Sequence, residues 1–205
     1  DTERIACLCR EKEIDGIITS FSDLLLECMV KIADRAGIPC YLKPEQLPWY
    51  RDKSATRALL TELGLPTPGF RKIPIAYFKD RSKRTQLKEL LEGLRYPVVS
   101  KPLDKYGSRG IYISEDLEEL INGAEKTAGF SDMPEILVEE YNDGYEFNMM
   151  TWVRHGTVHV ISIADREKTF VAKGEIPIST RNVYPSRLLS KVEKPATELL
   201  QAYAD

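Results

Sequence analysis

Histidine is nearly absent from this chain, with two in 205 residues, and cysteine is scarce, with four. His155 and His159 bracket Gly156, and a hairpin explains both better than catalysis does. Cys7, Cys9, Cys28 and Cys40 all lie in the first fifth of the chain, with no Cys-x-x-Cys pair and no neighbouring histidine. That excludes the usual zinc patterns and leaves reduced core thiols. No apolar run approaches the roughly 20 residues that span a bilayer, and no charged start leads into an apolar core as in a secretion signal, so a cytoplasmic location is the default expectation. Charge of one sign is also lacking: the net charge is −3 and the pI near 5.6. Nothing in that balance suggests a nucleic-acid or membrane partner. There is no G-x-x-x-x-G-K-[ST] loop and no glycine fingerprint that opens a helix.

What is present is an ordinary globular composition, 42% hydrophobic and 30% charged, enough to bury the core of one large domain or two small ones. The most informative stretch begins at Tyr96. Pro97-Val98-Val99-Ser100-Lys101-Pro102 is a short β-branched run that ends on a lysine and is stopped by a proline. Leu103-Asp104-Lys105-Tyr106-Gly107-Ser108-Arg109-Gly110 follows, and Ile111-Tyr112-Ile113 resumes strand character. The pattern is strand, glycine loop, strand. Gly107 and Gly110 would let several amides face one anion, Ser108 adds a hydroxyl, and Lys101, Lys105 and Arg109 add positive charge. A polyphosphate suits such a loop. So does water, because exposed hairpin tips collect the same residues.

The loop keeps company with other residues: Asp52-Lys53 opening a helix upstream, the segment Gly64-Leu65-Pro66-Thr67-Pro68 closing it, and Ile136-Leu137-Val138-Glu139-Glu140-Tyr141-Asn142-Asp143-Gly144-Tyr145-Glu146 downstream. In this order the set resembles the ATP-grasp family, closest to its carbamoyl-phosphate-synthase-like and amino-acid-ligase members. The resemblance implies that Lys53 and Lys101 hold nucleotide phosphates. It implies that the loop from Lys105 to Gly110, with Gly107, Ser108 and Arg109, closes over the triphosphate. It also implies that Glu139, Glu140, Tyr141 and Asn142 read the adenine edge largely through backbone groups, and that Glu146 binds the ribose hydroxyls. The roles are chemically sound: an ammonium is a point charge for phosphate oxygens, and a carboxylate is an acceptor pair for vicinal hydroxyls. Lys53 is electrostatically misplaced at a helix start, so either Asp52 compensates it or a ligand does. Glu146 also fits the solvent face of a strand.

The expected fold class is α/β with an α+β lid, a partial Rossmann-like domain leading into an incomplete ATP-grasp fold. Residues 1–48 read as the first part: a helix to about 12, a strand at 15–19, a helix at 23–36 and a short strand at 39–42, half of a doubly wound sheet. Residues 49–138 read as a linker helix and the lid subdomain, and 139–205 as the start of the C-terminal subdomain. Within these, strands are expected at 69–75, 97–101, 110–114, 135–140, 147–154 and 157–165, and helices at 52–63, 81–94, 115–128 and 193–203. Residues 166–186 read as irregular strand and loop. There is no internal repeat. Asp1 is not an initiator methionine, so the chain is expected to begin part-way through a longer protein.

By the resemblance, the activity of the parent protein is ATP-dependent carboxylate-amine, or carboxylate-thiol, ligation through an acyl phosphate. ATP and small-molecule carboxylate and amine substrates are the expected partners, and a homodimer is a candidate assembly. The alternative is a non-catalytic nucleotide-binding regulatory module. The family holds Mg2+ with carboxylates on late strands, including a Glu-x-Asn pair, and none follows Glu146. The metal ligands are therefore expected outside this chain. Arg166, Lys168, Lys173 and Arg181 could contact substrate or γ-phosphate, but a solvated basic loop is the better account of each.

Overall fold

The computed structural model describes residues 1–19, 22–105, 107–169 and 178–205. The chain divides into two compact units, Asp1–Thr56 and Arg57–Asp205. In the first unit, helix α1 (Thr2–Glu11) starts at Asp1, whose carboxylate accepts from the Arg4 amide. Helix α2 (Asp23–Ala36) stops at Gly37, whose left-handed backbone (φ 71°) lets its amide turn back to the carbonyls of Ala33 and Asp34. The two helices bury Ala6, Cys9 and Ile32 against each other, with Ile17, Cys28, Ala36 and Ile38 packed around them. All four cysteines are free thiols. A short helix α3 (Leu47–Arg51) leads into α4 (Lys53–Glu62), which crosses from the first unit into the second.

The strands expected at 15–19 and 39–42 do not form among the described residues. Both segments are apolar enough in sequence to read as strands, but a strand exists only through its ladder. Neither has a hydrogen-bonded neighbour in a sheet here.

The second unit contains two antiparallel sheets. The first has strand order β1 (Phe70–Pro74), β4 (Glu135–Glu140), β2 (Val98–Pro102), β3 (Tyr112–Ser114). Helices α5 (Ala76–Lys79), α6 (Arg84–Leu90) and α7 (Leu117–Ala128) supply Phe78, Leu87, Leu120 and Ala124 to one face, where they bury Ile73, Val98, Ile136 and Val138. Asp116 caps α7, its carboxylate accepting from the amides of Glu118 and Glu119 at 2.9 Å each. The single helix expected at 81–94 is shorter. It begins as a 3-10 turn at Arg81–Lys83 and ends at Leu90, where the Arg71 guanidinium takes the carbonyls of Leu90 and Glu92 and Gly93 turns the chain (φ 82°).

The second sheet has order β5 (Phe147–Arg154), β6 (Thr157–Lys168), β7 (Ser179–Val183), and helix α8 (Leu189–Ala204) contacts β6. His155 and Gly156 form the β5–β6 turn, both at positive φ (50° and 76°), so the turn accounts for His155. β6 and β7 are longer and more regular than the sequence suggests. The polar strand β7 is held by side-chain pairs, Arg181 with Glu167 of β6 and Asn182 with Asn148 of β5, so it formed without apolar alternation. No helix among the described residues is long and apolar enough to cross a membrane.

Candidate nucleotide site

Side chains alternate across a strand, and antiparallel partners share a face. The register Val99↔Glu139 and Lys101↔Leu137 therefore puts Lys101 and Glu139 together on the face of the first sheet opposite its helices. Val99 and Leu137 are fully buried there. Glu139 is 3% exposed, yet it is a carboxylate on a central strand. Two cations account for it. Lys101 Nζ pairs with Oε1, and Arg57, on the part of α4 that belongs to this unit, donates Nε to Oε2 at 2.9 Å and Nη2 to Oε1 at 3.4 Å. Burial pushes the Glu139 carboxyl up, but the Arg57 hydrogen bond and the charges of Lys101 and Arg57 outweigh it and hold the group below its ordinary value. Removing one partner of such a buried pair typically costs about 3–5 kcal/mol. The result is a semi-buried cluster with two cations to one carboxylate, an environment that favours an anion.

The β2–β3 loop is anchored at its base. Asp104 accepts from Ser131 Oγ at 2.5 Å and pairs with Lys105 at 3.1 Å. Burial raises the Asp104 carboxyl, and the Ser131 and Lys105 hydrogen bonds more than reverse this. Lys105 thus sits at the loop base against its neighbour's carboxylate. Gly107, Ser108 and Arg109 are exposed, with Gly107 and Ser108 at positive φ (69° and 58°). Gly110 differs. It is buried at φ 70°, its carbonyl accepts from Thr127 Oγ1 at 2.9 Å, and a Cβ on it would lie 2.8 Å from Phe130 Cγ. Packing alone requires a glycine here.

Past β4, Glu140 accepts from the Arg95 amide and guanidinium, which hold its carboxyl at about 2. The Glu140 amide donates to the Gly69 carbonyl and the Tyr141 amide to the Pro97 carbonyl, each at 2.9 Å. A base edge read by backbone groups at 139–142 would therefore use carbonyl lone pairs or residues beyond Tyr141. Asn142 Oδ1 accepts from the Gly144 amide at 2.8 Å and shapes the turn before β5. Glu146 lies at the start of the second sheet, with Arg166 Nη1 at 2.7 Å and Lys168 Nζ both on its carboxylate. Those two cations are thereby placed on Glu146, and Arg181 is paired with Glu167.

Lys53 belongs to the first unit. Beside it, Asp52 Oδ1 accepts from the Ser54 amide and hydroxyl at 2.8 and 2.6 Å, so Asp52 caps the start of α4. Lys173 and Tyr106 lie outside the described residues.

No protein-family model matches the chain. It is 25% identical over 174 residues to the N-terminal section of the carbamoyl phosphate synthase large chain of Methanopyrus kandleri, a match that covers 82% of this chain and 29% of that protein. Its fold superposes on the L-amino acid ligase of Bacillus licheniformis with a TM-score of 0.77 at 24% identity, covering 98% of this chain and 46% of the ligase. The chain is thus similar in sequence to carbamoyl phosphate synthase and has the fold of ATP-grasp ligases. The ADP complex of PurK, N5-carboxyaminoimidazole ribonucleotide synthetase, has the same fold, with a TM-score of 0.72 at 18% identity over 100% of this chain and 49% of PurK. The chain spans between 11% and 46% of the length of the curated relatives it matches, and about half of the solved chains.

The residues the sequence singled out fall into separate groups. Lys101 and Glu139 come together. Lys105 lies on the loop base, and Glu146 lies on the other sheet with Arg166 and Lys168. The sequence reading missed Arg57, although its position one helical turn after Lys53 is a legible signal. It also missed Asp165, a buried carboxylate that accepts from Ser186 Oγ at 2.6 Å and ties the segment before α8 to β6.

Proposed function

We propose that this chain is the ATP-binding part of an ATP-dependent carboxylate-amine ligase. The Arg57–Glu139–Lys101 cluster is the observation that carries the reading: an excess of positive charge on a rigid sheet, mostly shielded from water, where phosphate charge interacts more strongly than at an open surface. In the reaction a substrate carboxylate oxygen attacks the γ-phosphorus and ADP leaves. An amine then attacks the acyl carbon, the phosphate leaves with the C–O bonding pair, and the amine gives up a proton. Lys101 would hold phosphate oxygens, and Lys105, Ser108 and Arg109 would close over the triphosphate. Glu139 to Asn142 would line the adenine, and Glu146, oriented by Arg166 and Lys168, would accept from the ribose hydroxyls. The protein's share is positioning and charge neutralisation.

Magnesium, which this chemistry implies, is a separate matter. Among the described residues no group of three or more His, Cys, Asp or Glu gathers into a metal site.

Calorimetric titration of Mg-ATP into the chain and into its Lys101→Ala and Glu146→Ala variants tests the proposal. The expected result is saturable binding to the parent and a loss of at least about tenfold in each variant, as for removal of a charged hydrogen-bond partner. A folded parent chain that takes up no Mg-ATP, or variants that bind as the parent does, would overturn it.

A further inference from the structure

Resting on that reading, we infer that Arg57 is a positioning residue of the site: it is the permanent counter-ion of Glu139, and its presence makes Lys101 exchangeable toward the phosphate of a nucleoside triphosphate. The geometry is asymmetric. Arg57 reaches both carboxylate oxygens, Nε to Oε2 at 2.9 Å and Nη2 to Oε1 at 3.4 Å, whereas Lys101 reaches Oε1 only. If Lys101 swings away to a phosphate oxygen, each Glu139 oxygen keeps a donor. If Arg57 is absent, the same movement strands a nearly fully buried carboxylate, and Lys101 is held where it is.

The two side chains suit these parts. A guanidinium is a planar fork matched to a carboxylate, and an ammonium on a four-carbon stem is a mobile point charge. Lys101 retains partial access to solvent, with 20% of its side chain exposed against 4% for Glu139. Glu139 in turn keeps Lys101 over the sheet when no anion is present. Its neighbours on the same face, Val99 and Leu137, are apolar and offer no alternative partner.

The experiment measures affinity for inorganic tripolyphosphate and for Mg-ATP in the full chain and in Lys101→Ala, Arg57→Gln, Glu139→Gln and Arg57→Gln/Glu139→Gln, with folding checked by circular dichroism. Arg57→Gln should weaken both probes by about tenfold or more, because Lys101 is then locked to Glu139. Removing the carboxylate as well frees Lys101, so the double variant should recover to within about threefold of Glu139→Gln. A fall in the affinity of an Arg57→Gln chain that circular dichroism shows to be folded as the parent is separates this role from a purely structural one. Should Arg57→Gln fail to fold, the double variant decides alone, since it contains no buried carboxylate. Binding within threefold of Glu139→Gln supports the inference, and a loss beyond tenfold overturns it by making Arg57 a direct ligand contact. Loss in Lys101→Ala with no change in Arg57→Gln overturns the inference and leaves the nucleotide reading standing. Unchanged binding in Lys101→Ala, or none in the parent chain, overturns both.

Discussion

Gly110 sits in the loop that the resemblance assigns to phosphate, but its surroundings give it a different task. Its φ of 70° is a left-handed conformation that costs an L-residue roughly 1–2 kcal/mol. A Cβ at this position would meet Phe130 Cγ at 2.8 Å and Phe130 Cβ and Cδ2 at 2.9 Å. Those atoms are the root of the side chain, which cannot rotate out of the way, so backbone must shift, and overpacking of this kind costs about 1–3 kcal/mol. Gly110→Ala should therefore destabilise the chain by about 2–5 kcal/mol and lower the melting temperature by at least about 4 °C. Gly107→Ala is the internal control. It has almost the same φ, 69°, and open space around the added methyl, so only the conformational cost of roughly 1–2 kcal/mol applies. Thermal melts and urea titrations of the two variants, followed by circular dichroism, separate the terms. If Gly110→Ala melts within 1 °C of the parent while losing Mg-ATP binding, the packing argument is wrong and the glycine is there for the ligand.

Glu140 makes stability depend on acid. Arg95 holds its folded-state carboxyl at about 2, below the ordinary value of 4.5, so its contribution is fully present above that ordinary value and is lost as the pH falls through about 2. The gap in urea midpoint between the parent and Glu140→Gln should be constant above pH 5 and shrink steadily toward pH 2; a gap that stays constant over the whole range would contradict the assignment. Asp116→Ala removes the acceptor for the amides of Glu118 and Glu119 and should cost about 1 kcal/mol, read as a lower urea midpoint with an unchanged slope.

Elements whose signals are local were legible in the sequence. Helix α2 at Asp23–Ala36, with Gly37 as its stop, and strands β4 at Glu135–Glu140 and β5 at Phe147–Arg154 have the bounds that their apolar periodicity implies. The β2–β3 and β5–β6 hairpins pair as their glycine turns suggest. The segments at 15–19 and 39–42 read as strands for the same local reasons and are not strands, because pairing is not a local property. The polar strand β7 shows the converse: its ladder with β6 forms without the alternation that would have announced it.

Residue type and spacing alone determined the loop glycines and the place of Lys101 at the end of a strand, since these follow from backbone preference and side-chain chemistry, while the candidacy of Glu139 came from the family resemblance. Only the tertiary structure decided what those groups do to one another. The strand order β1-β4-β2-β3 and its register set Lys101 against a carboxylate 38 residues away, and α4 brings Arg57 to that carboxylate from 82 residues away. A buried charge must be met by whatever the fold places within hydrogen-bond reach, and that partner is a property of the packing, not of the neighbouring sequence.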